Sequence, residues 1–566
     1  MPEQLICEEA VYSEEYTDLI IDYAQGLDYN LEQFPGACIQ NVADRQAVLY
    51  VPDYARDFLF TNLGYRFIPK CYGLLSTDAL EETGVLALRR QPFLSLYGQG
   101  VLIGIVDDGI NFRNDAFIWE DGRSKIVYAW NQTDRAGMPP EGFGYGSEYT
   151  EEMIRAAISS ENSEEGINTL VDETGHGTQM AAAAGGRELP EEDFSGAAPL
   201  AEFAVVKLKR AKQYYRDYYR IADDAVAFQE NDIILAVNYL IRISEMLERP
   251  IVICLGLGTN QGDHNGSGFL GEYLNTIAVS QGVYICTAAG NESTRAHHMR
   301  SRLLSEDEYQ DMEINVTGAG KGFTMELWGG TSSGFAVQVK PPIGEFSGLI
   351  EARFNEKRRL EFLLNDSVVY VSAELVERST GDELIFFRFV DPAEGVWTIR
   401  VISQGPLSGI YDAWLPLEQF NEVPVRFLMP DPDITICEPG NAVNVITWAG
   451  SDESGDAIYI YSGRGFTRNG RIKPDITAPA SEVYTALSAR SVRQFGPVSG
   501  TSMACALGGG ITALIAEWSL RGRPNNTVSA RNFLIRGADS EGISVPDRSF
   551  GYGRVDIYNS FIELLG

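Results

Sequence analysis

The stretch VLIGIVDDG, residues 101–109, decides how the rest of the chain reads. A nearly unbroken apolar run that ends in two acids and a glycine describes a strand buried on both faces. Such strands belong to parallel sheets, and their C-terminal ends carry polar chemistry. AEFAVVKLK (201–209), PIVICLGLG (250–258) and GVYICTAAGN (282–291) repeat the pattern, and NDIILAVNYLIRISEML (231–247) between them has apolar residues at helical spacing. Alternation of this kind predicts a doubly wound α/β parallel sheet.

Outward from that core the pattern changes twice. Residues 1–80 read as a small α+β unit: YTDLIIDYAQGL (16–27) and YARDFLFTNLGY (54–65) as helices, AVLYVP (47–52) as a strand, and RFIPKCYGLLS (66–76) as an extended exit. Residues 81–300 form the first part of the α/β domain. From 301 to 430, segments such as FTMELWG, VVYVSAELV, ELIFFRFV and GVWTIRVI alternate with Gly, Pro and Asp turns, which predicts an inserted β-sandwich of jelly-roll type. Residues 431–566 return to α/β character, with ITICEPGNAVNVITWAG (434–450) and a long apolar helix in ACALGGGITALIAEW (504–518).

Composition narrows the function classes. Of 566 residues, 44% are hydrophobic and 22% charged, and 45 basic against 79 acidic side chains leave a net charge of −34. So acidic a surface repels phosphate backbones and anionic lipid, so neither nucleic acid nor membrane is an expected partner, and a monomer is expected. No apolar run is long enough for a transmembrane helix. MPEQLICEEAVYSEEYTDLI has no basic n-region and no apolar h-region, so no signal peptide is expected and synthesis is expected in the cytoplasm. The seven cysteines are scattered and lack any CxxC, which predicts small buried side chains in a reducing compartment, with no disulfide framework and no zinc. No metal-ligand set is recognised and no cofactor is expected, and the sequence leaves calcium dependence open.

Three groups stand where the α/β reading puts chemistry. Asp107 ends the strand VLIGIVD, His176 lies in DETGHGTQMAAAAGG between two glycines, and Ser502 lies in VSGTSMACALGGG at the start of the buried helix. A serine hydroxyl is a weak nucleophile until an imidazole takes its proton, and the imidazole needs a carboxylate to hold its tautomer. Asn291, in TAAGNES, is an uncharged donor able to join the Ser502 N–H in binding an oxyanion.

VDDG, GHGT, AAGNE and GTSMA, in that order, resemble the signatures of subtilisin-like serine proteases, the subtilases, over about residues 80–300 and 430–566. The resemblance implies a serine endopeptidase in which Asp107 orients, His176 is base and acid, Ser502 is the nucleophile and Asn291 binds the oxyanion. It further implies that Gly256, Leu257 and Gly258 pair with substrate backbone, that Ala288, Ala289 and Gly290 wall the primary pocket, and that KPDITAPA (473–480) is structural. The first 80 residues resemble a prodomain, a chaperone and inhibitor of its own enzyme, with autocleavage expected between Tyr72 and Leu80. Within the family the chain is most similar to the clostridial Csp germination proteases, which implies spore association and a cortex-lytic proenzyme as substrate. That branch also contains pseudoproteases that act as regulators or scaffolds. This chain keeps all three triad positions, which places it with the active members.

Departures from the family pattern carry their own expectations. Asp108 replaces the usual hydroxyl residue, as in the kexin and furin branch, which implies a preference for Lys or Arg two residues before the cut. Cys505, Ala506 and Leu507 replace the usual Ser-Pro-His, and Gln179 stands where a second histidine is common. Asp172 reads equally as a loop acid near substrate and as a helix cap. His264, His297 and His298 lie in polar segments and are expected at the surface, while Trp397 is expected in the core of the β module.

Overall fold

The computed structural model describes residues 7–22, 36–43, 46–52, 67–74, 83–91, 94–160, 165–306, 308–331, 334–353, 356–404, 409–452, 454–487, 494–523 and 525–563. Its centre is an eight-stranded sheet in the order Ile476–Pro479, Ile446–Ser451, Val283–Ala288, Ile251–Leu255, Leu102–Asp107, Glu202–Lys207, Ile126–Asn131, Ser147–Thr150. All neighbours are parallel except the last pair. Leu102–Asp107 is central and buried at every residue, so the sheet is the parallel α/β sheet that the apolar runs predict.

Alternation along the strands feeds two cores. Ile103 and Ile105 join one cluster with the helices His176–Gly185 (the histidine helix) and Thr501–Ser519 (the serine helix). Leu102 and Val106 join a second cluster with the helix Glu230–Leu247. The serine helix is buried from Thr501 to Ala516, and its three consecutive glycines each meet a different neighbour. A Cβ at Gly508 would lie 2.1 Å from the Trp448 ring, at Gly509 2.2 Å from Cys254 Sγ, and at Gly510 2.3 Å from the Ala184 carbonyl of the histidine helix. Each glycine costs a helix about 1 kcal/mol relative to alanine, which close packing on three sides offsets.

The β module is built from two antiparallel sheets, six-stranded and five-stranded, that run from His298–Leu303 to Val425–Phe427. Phe323, Val371 and Phe387 of one sheet and Ile314, Val339 and Ile399 of the other share a single apolar core. Trp397 is fully buried there, with its ring N–H on the Ala393 carbonyl, as expected. The three histidines are not at the surface: all are buried where the module meets the α/β domain. His264 and His298 both stack on Trp414, at 4.0 and 4.8 Å between ring centroids. His297 Nδ1 lies 2.6 Å from Glu292. Docking of the module buries these polar segments, which local composition does not reveal.

The N-terminal segment corrects two expectations. Tyr16–Asp22 is a strand, not a helix, and pairs antiparallel with Gln46–Pro52, which also pairs with Cys38–Ala43. Ile20 faces the second core of the α/β domain while Leu19 and Ile21 face the other way, a period of two that pairing enforces. Cys7 and Cys38 form a disulfide, contrary to the scattered-thiol reading, because the strand Cys38–Ala43 returns beside the chain start. The other five cysteines are buried and free. The predicted helix at 54–65 lies outside the described residues.

The contact at Gly510 predicts a measurable cost. Gly510→Ala presses a methyl group against a backbone carbonyl and should cost about 1–3 kcal/mol, read as a lower thermal denaturation midpoint. An unchanged midpoint would show that the two helices part without strain.

Candidate active site

Three elements deliver one chain of hydrogen bonds. Asp107 at the end of the central strand is fully buried, and its Oδ2 lies 2.8 Å from His176 Nδ1. His176 Nε2 lies 2.9 Å from Ser502 Oγ. The second Asp107 oxygen accepts from the Asp108 N–H at 2.8 Å. His176 is the first residue of its helix, and Asp172 caps that helix by accepting from the Thr178 N–H at 2.8 Å. Of the two readings of Asp172, the cap is the one seen. Gly177 makes the approach possible, since a Cβ there would lie 2.1 Å from the Gly109 carbonyl and 3.0 Å from Asp107 Cβ.

Burial is the largest influence on Asp107 and raises its pKa to about 6, while His176 opposes the rise. Its carboxylate is therefore charged above about pH 6 and neutral below.

Ser502 lies in the first turn of its helix, where backbone N–H groups have no carbonyl a turn earlier to bond. Asn291 stands beside it. The Asn291 side-chain oxygen accepts from the Thr501 N–H and from Thr501 Oγ1, both at 3.1 Å. With the oxygen engaged, the amide NH₂ is left for the cavity that Asn291 lines. Thr501 was missed in the sequence, although it stands inside the GTSMA motif. The cavity holds about 640 Å³ and is lined by His176, Gln179, Asn291, Glu292, Val498 and, from the β module, Leu417.

The remaining predicted residues divide. Asp108 is 2% exposed, not a solvated loop acid. Its Oδ2 accepts from the Glu173 N–H, the Thr174 N–H and Thr174 Oγ1 at 3.2, 2.8 and 2.7 Å, and its Oδ1 is buried without a hydrogen bond. Ala288, Ala289 and Gly290 do not line the cavity. They are packed behind it, with the Cys437 N–H on the Ala289 carbonyl and the Gly463 N–H on the Gly290 carbonyl. A Cβ at Gly256 would lie 2.3 Å from Met180 Sδ and 2.9 Å from Ser502 Cβ, so this glycine abuts the nucleophile. Among the described residues no group of three or more His, Cys, Asp or Glu is placed to hold a metal ion.

Leu257–Gly258 already has a partner. It pairs antiparallel with Cys71–Leu74 of the N-terminal segment, Leu257 opposite Leu74 and Gly258 opposite Gly73. The same segment pairs on its other edge with Phe228–Gln229. An extended piece of the chain thus lies as the middle strand of three beside the serine.

Comparison with known proteins agrees with this geometry. The description "Subtilase family" matches residues 98–320 and 431–553. The solved structure of the Clostridium perfringens CspB protease superposes with a TM-score of 0.74 at 26% identity, over 86% of this chain and 97% of that one. C5a peptidases of Streptococcus pyogenes serotypes M6 and M1 are 23% identical over 465 residues, which is 78% of this chain but only 36% of those proteins.

If the imidazole depends on a charged Asp107, the reactivity of Ser502 should follow that charge. Fluorophosphonate labelling of Ser502 should slow as pH falls through about 6, and Asp107→Asn should lower its rate at neutral pH by on the order of 10⁴. Labelling that stays level from pH 8 to 5 would detach the aspartate from the serine's reactivity.

Proposed function

The chain belongs to the subtilase family, whose match covers more than half of it, and on that premise we propose that it is a serine endopeptidase that cuts itself before it cuts other proteins. The observation that carries the reading is the unbroken hydrogen-bonded path from Asp107 through His176 to Ser502. Ser502 Oγ attacks the peptide carbonyl as His176 Nε2 takes its proton, and Asp107 holds the tautomer and the resulting cation. The Asn291 amide and the Ser502 N–H receive the oxyanion. His176 returns the proton to the leaving amine, the acyl-enzyme forms, and water repeats the sequence to release it.

The first 80 residues act in this proposal as the prodomain, and the pairing of Cys71–Leu74 with Leu257–Gly258 supports it. Gly256, the residue before Leu257 on that strand, lies against Ser502 Cβ. The bond to be cut lies within the Tyr72–Leu80 stretch expected from the sequence, of which residues 75–80 fall outside the described ones. The severed segment stays bound as an inhibitor, a reading supported by the buried Asp18–Lys212 ion pair at 2.6 Å and the Asp18 N–H bond to Tyr214. The inserted module is of jelly-roll type, and the substrate class is a cortex-lytic proenzyme, a proposal resting on likeness to the Csp proteases. Asp108 selects Lys or Arg two residues before the cut, supported by its unpaired buried oxygen. A peptide library without basic enrichment at that position removes this last point alone.

Intact mass and N-terminal sequencing test the central claim. Wild type should yield two fragments, the second beginning within the Tyr72–Leu80 stretch, and Ser502→Ala a single uncut chain. Against a peptide substrate the same substitution should cost on the order of 10⁶ in turnover, and Asn291→Ala on the order of 10²–10³; both figures are carried over from subtilisin, a member of this family. A wild-type chain that stays whole and resists fluorophosphonate labelling contradicts the proposal.

A further inference from the structure

Lys70 immediately precedes the paired strand Cys71–Leu74 and is only 4% exposed. Its ammonium lies 3.8 Å from Glu230, and Glu326, Asp263 and Glu438 are close enough to act on its charge. Burial, the largest influence, disfavours the charged lysine, yet the four carboxylates together outweigh it and its pKa is raised.

These carboxylates come from four separate parts of the fold, and each is held in place. Glu230 opens its helix and accepts from the Leu270 N–H at 3.1 Å. Glu326, from the β module strand Gly322–Gly329, accepts from the Gly262 N–H and the Trp328 ring N–H at 2.9 and 3.0 Å. Glu438 accepts from the Gly266 N–H at 3.0 Å. Asp263 accepts through Oδ1 from the Asn265 N–H at 3.0 Å, while its Oδ2 is buried without a hydrogen bond. The pocket's own cation is Arg471, which faces Glu438 and Asp263. Glu438 is lifted to about 8, by burial first and Asp263 next. Four acidic side chains thus converge on Lys70, with Arg471 beside two of them.

The backbone around Lys70 is anchored independently of its side chain. The Glu230 N–H bonds the Lys70 carbonyl at 2.9 Å, and the Cys71 N–H bonds Gln261 Oε1 at 3.2 Å. Any extended peptide on this path would present a side chain to the same four acids. We propose that Glu230, Asp263, Glu326 and Glu438 form a distal substrate subsite that selects a lysine or arginine four residues before the residue opposite Leu257. Lys70 is its first occupant, and the inserted β module contributes a wall of the subsite through Glu326. This inference rests on the endopeptidase reading.

The test uses self-processed wild-type protein and synthetic peptides spanning residues 66–80, with Lys, Arg, norleucine or Glu at position 70. Norleucine keeps the apolar stem and removes the charge. Close buried charge pairs are worth at least about 10-fold, so kcat/KM for Lys and Arg should exceed that for norleucine by at least that factor, and the Glu peptide should be cut least. Glu326→Gln should narrow the ratio of Lys to norleucine. Equal rates for Lys and norleucine overturn the subsite while leaving the protease reading intact. Should the bound N-terminal segment keep every peptide out, self-processing of the full chain decides. Lys70→Met should then slow it at least about 10-fold and Lys70→Arg should leave it nearly unchanged, whereas equal rates for the two overturn the proposal. The wild-type peptide series requires no variant to fold. A wild-type chain that cuts neither itself nor any peptide removes the protease reading, and this subsite with it.

Discussion

The hydrogen bond between His176 Nε2 and Ser502 Oγ joins residues 326 positions apart, and much of the α/β domain serves to keep it short. Two helices must begin at the same place and run closely together. The serine helix achieves this with Gly508, Gly509 and Gly510, whose missing side chains admit Trp448, Cys254 and the Ala184 carbonyl. The histidine helix contributes its run of small residues from Ala181 to Gly185, all buried. Helix propensity opposes three glycines in a row, so packing with long-range partners must hold this helix together. The arrangement is rigid for the same reason: a backbone carbonyl lies behind the glycine, and it has no rotamer with which to yield.

A second constraint follows from placing the nucleophile beside an open strand edge. Leu257–Gly258 offers backbone groups that must bond to something, and here Cys71–Leu74 fills the role. The N-terminal segment is held to the α/β domain by buried polar contacts as well as apolar ones. Asp18 is fully buried; its carboxylate accepts from Lys212 and Gln229, and its backbone N–H donates to the Tyr214 hydroxyl. Buried ion pairs add little net stability, but breaking one leaves an uncompensated charge. They favour one docking geometry over its neighbours, which suits a segment whose register decides where the chain is cut.

Much of the site is legible in the sequence because its residues stand where long apolar runs end. Asp107 and Asn291 each follow a strand whose apolar pattern breaks abruptly, and Ser502 opens a long apolar helix. Information that depends on distant partners is not legible. Leu19, Ile20 and Ile21 fit a helix as well as a strand until Gln46–Pro52 supplies a partner. His264 and His298 look like surface residues until the β module brings Trp414 between them. Lys70 has no local signal at all, since its acids lie at positions 230, 263, 326 and 438.

The buried aspartate sets charge against stability within one residue. Its folded pKa of about 6 stands above the ordinary aspartate value of 3.8, so burial favours the protonated form. The stability this confers is fully present below the unfolded value and is lost as pH rises through about 6, an effect on the order of 3 kcal/mol. The ionised form, which alone can hold an imidazolium, is therefore the less stable one. Two contacts partly compensate: the Asp108 N–H and the His176 ring each donate to the carboxylate, one per oxygen. The remainder must come from the surrounding packing, and the acid accordingly lies in a strand buried at every residue. A charge is tolerated there because neither the strand nor the helix beside it has room to relax away.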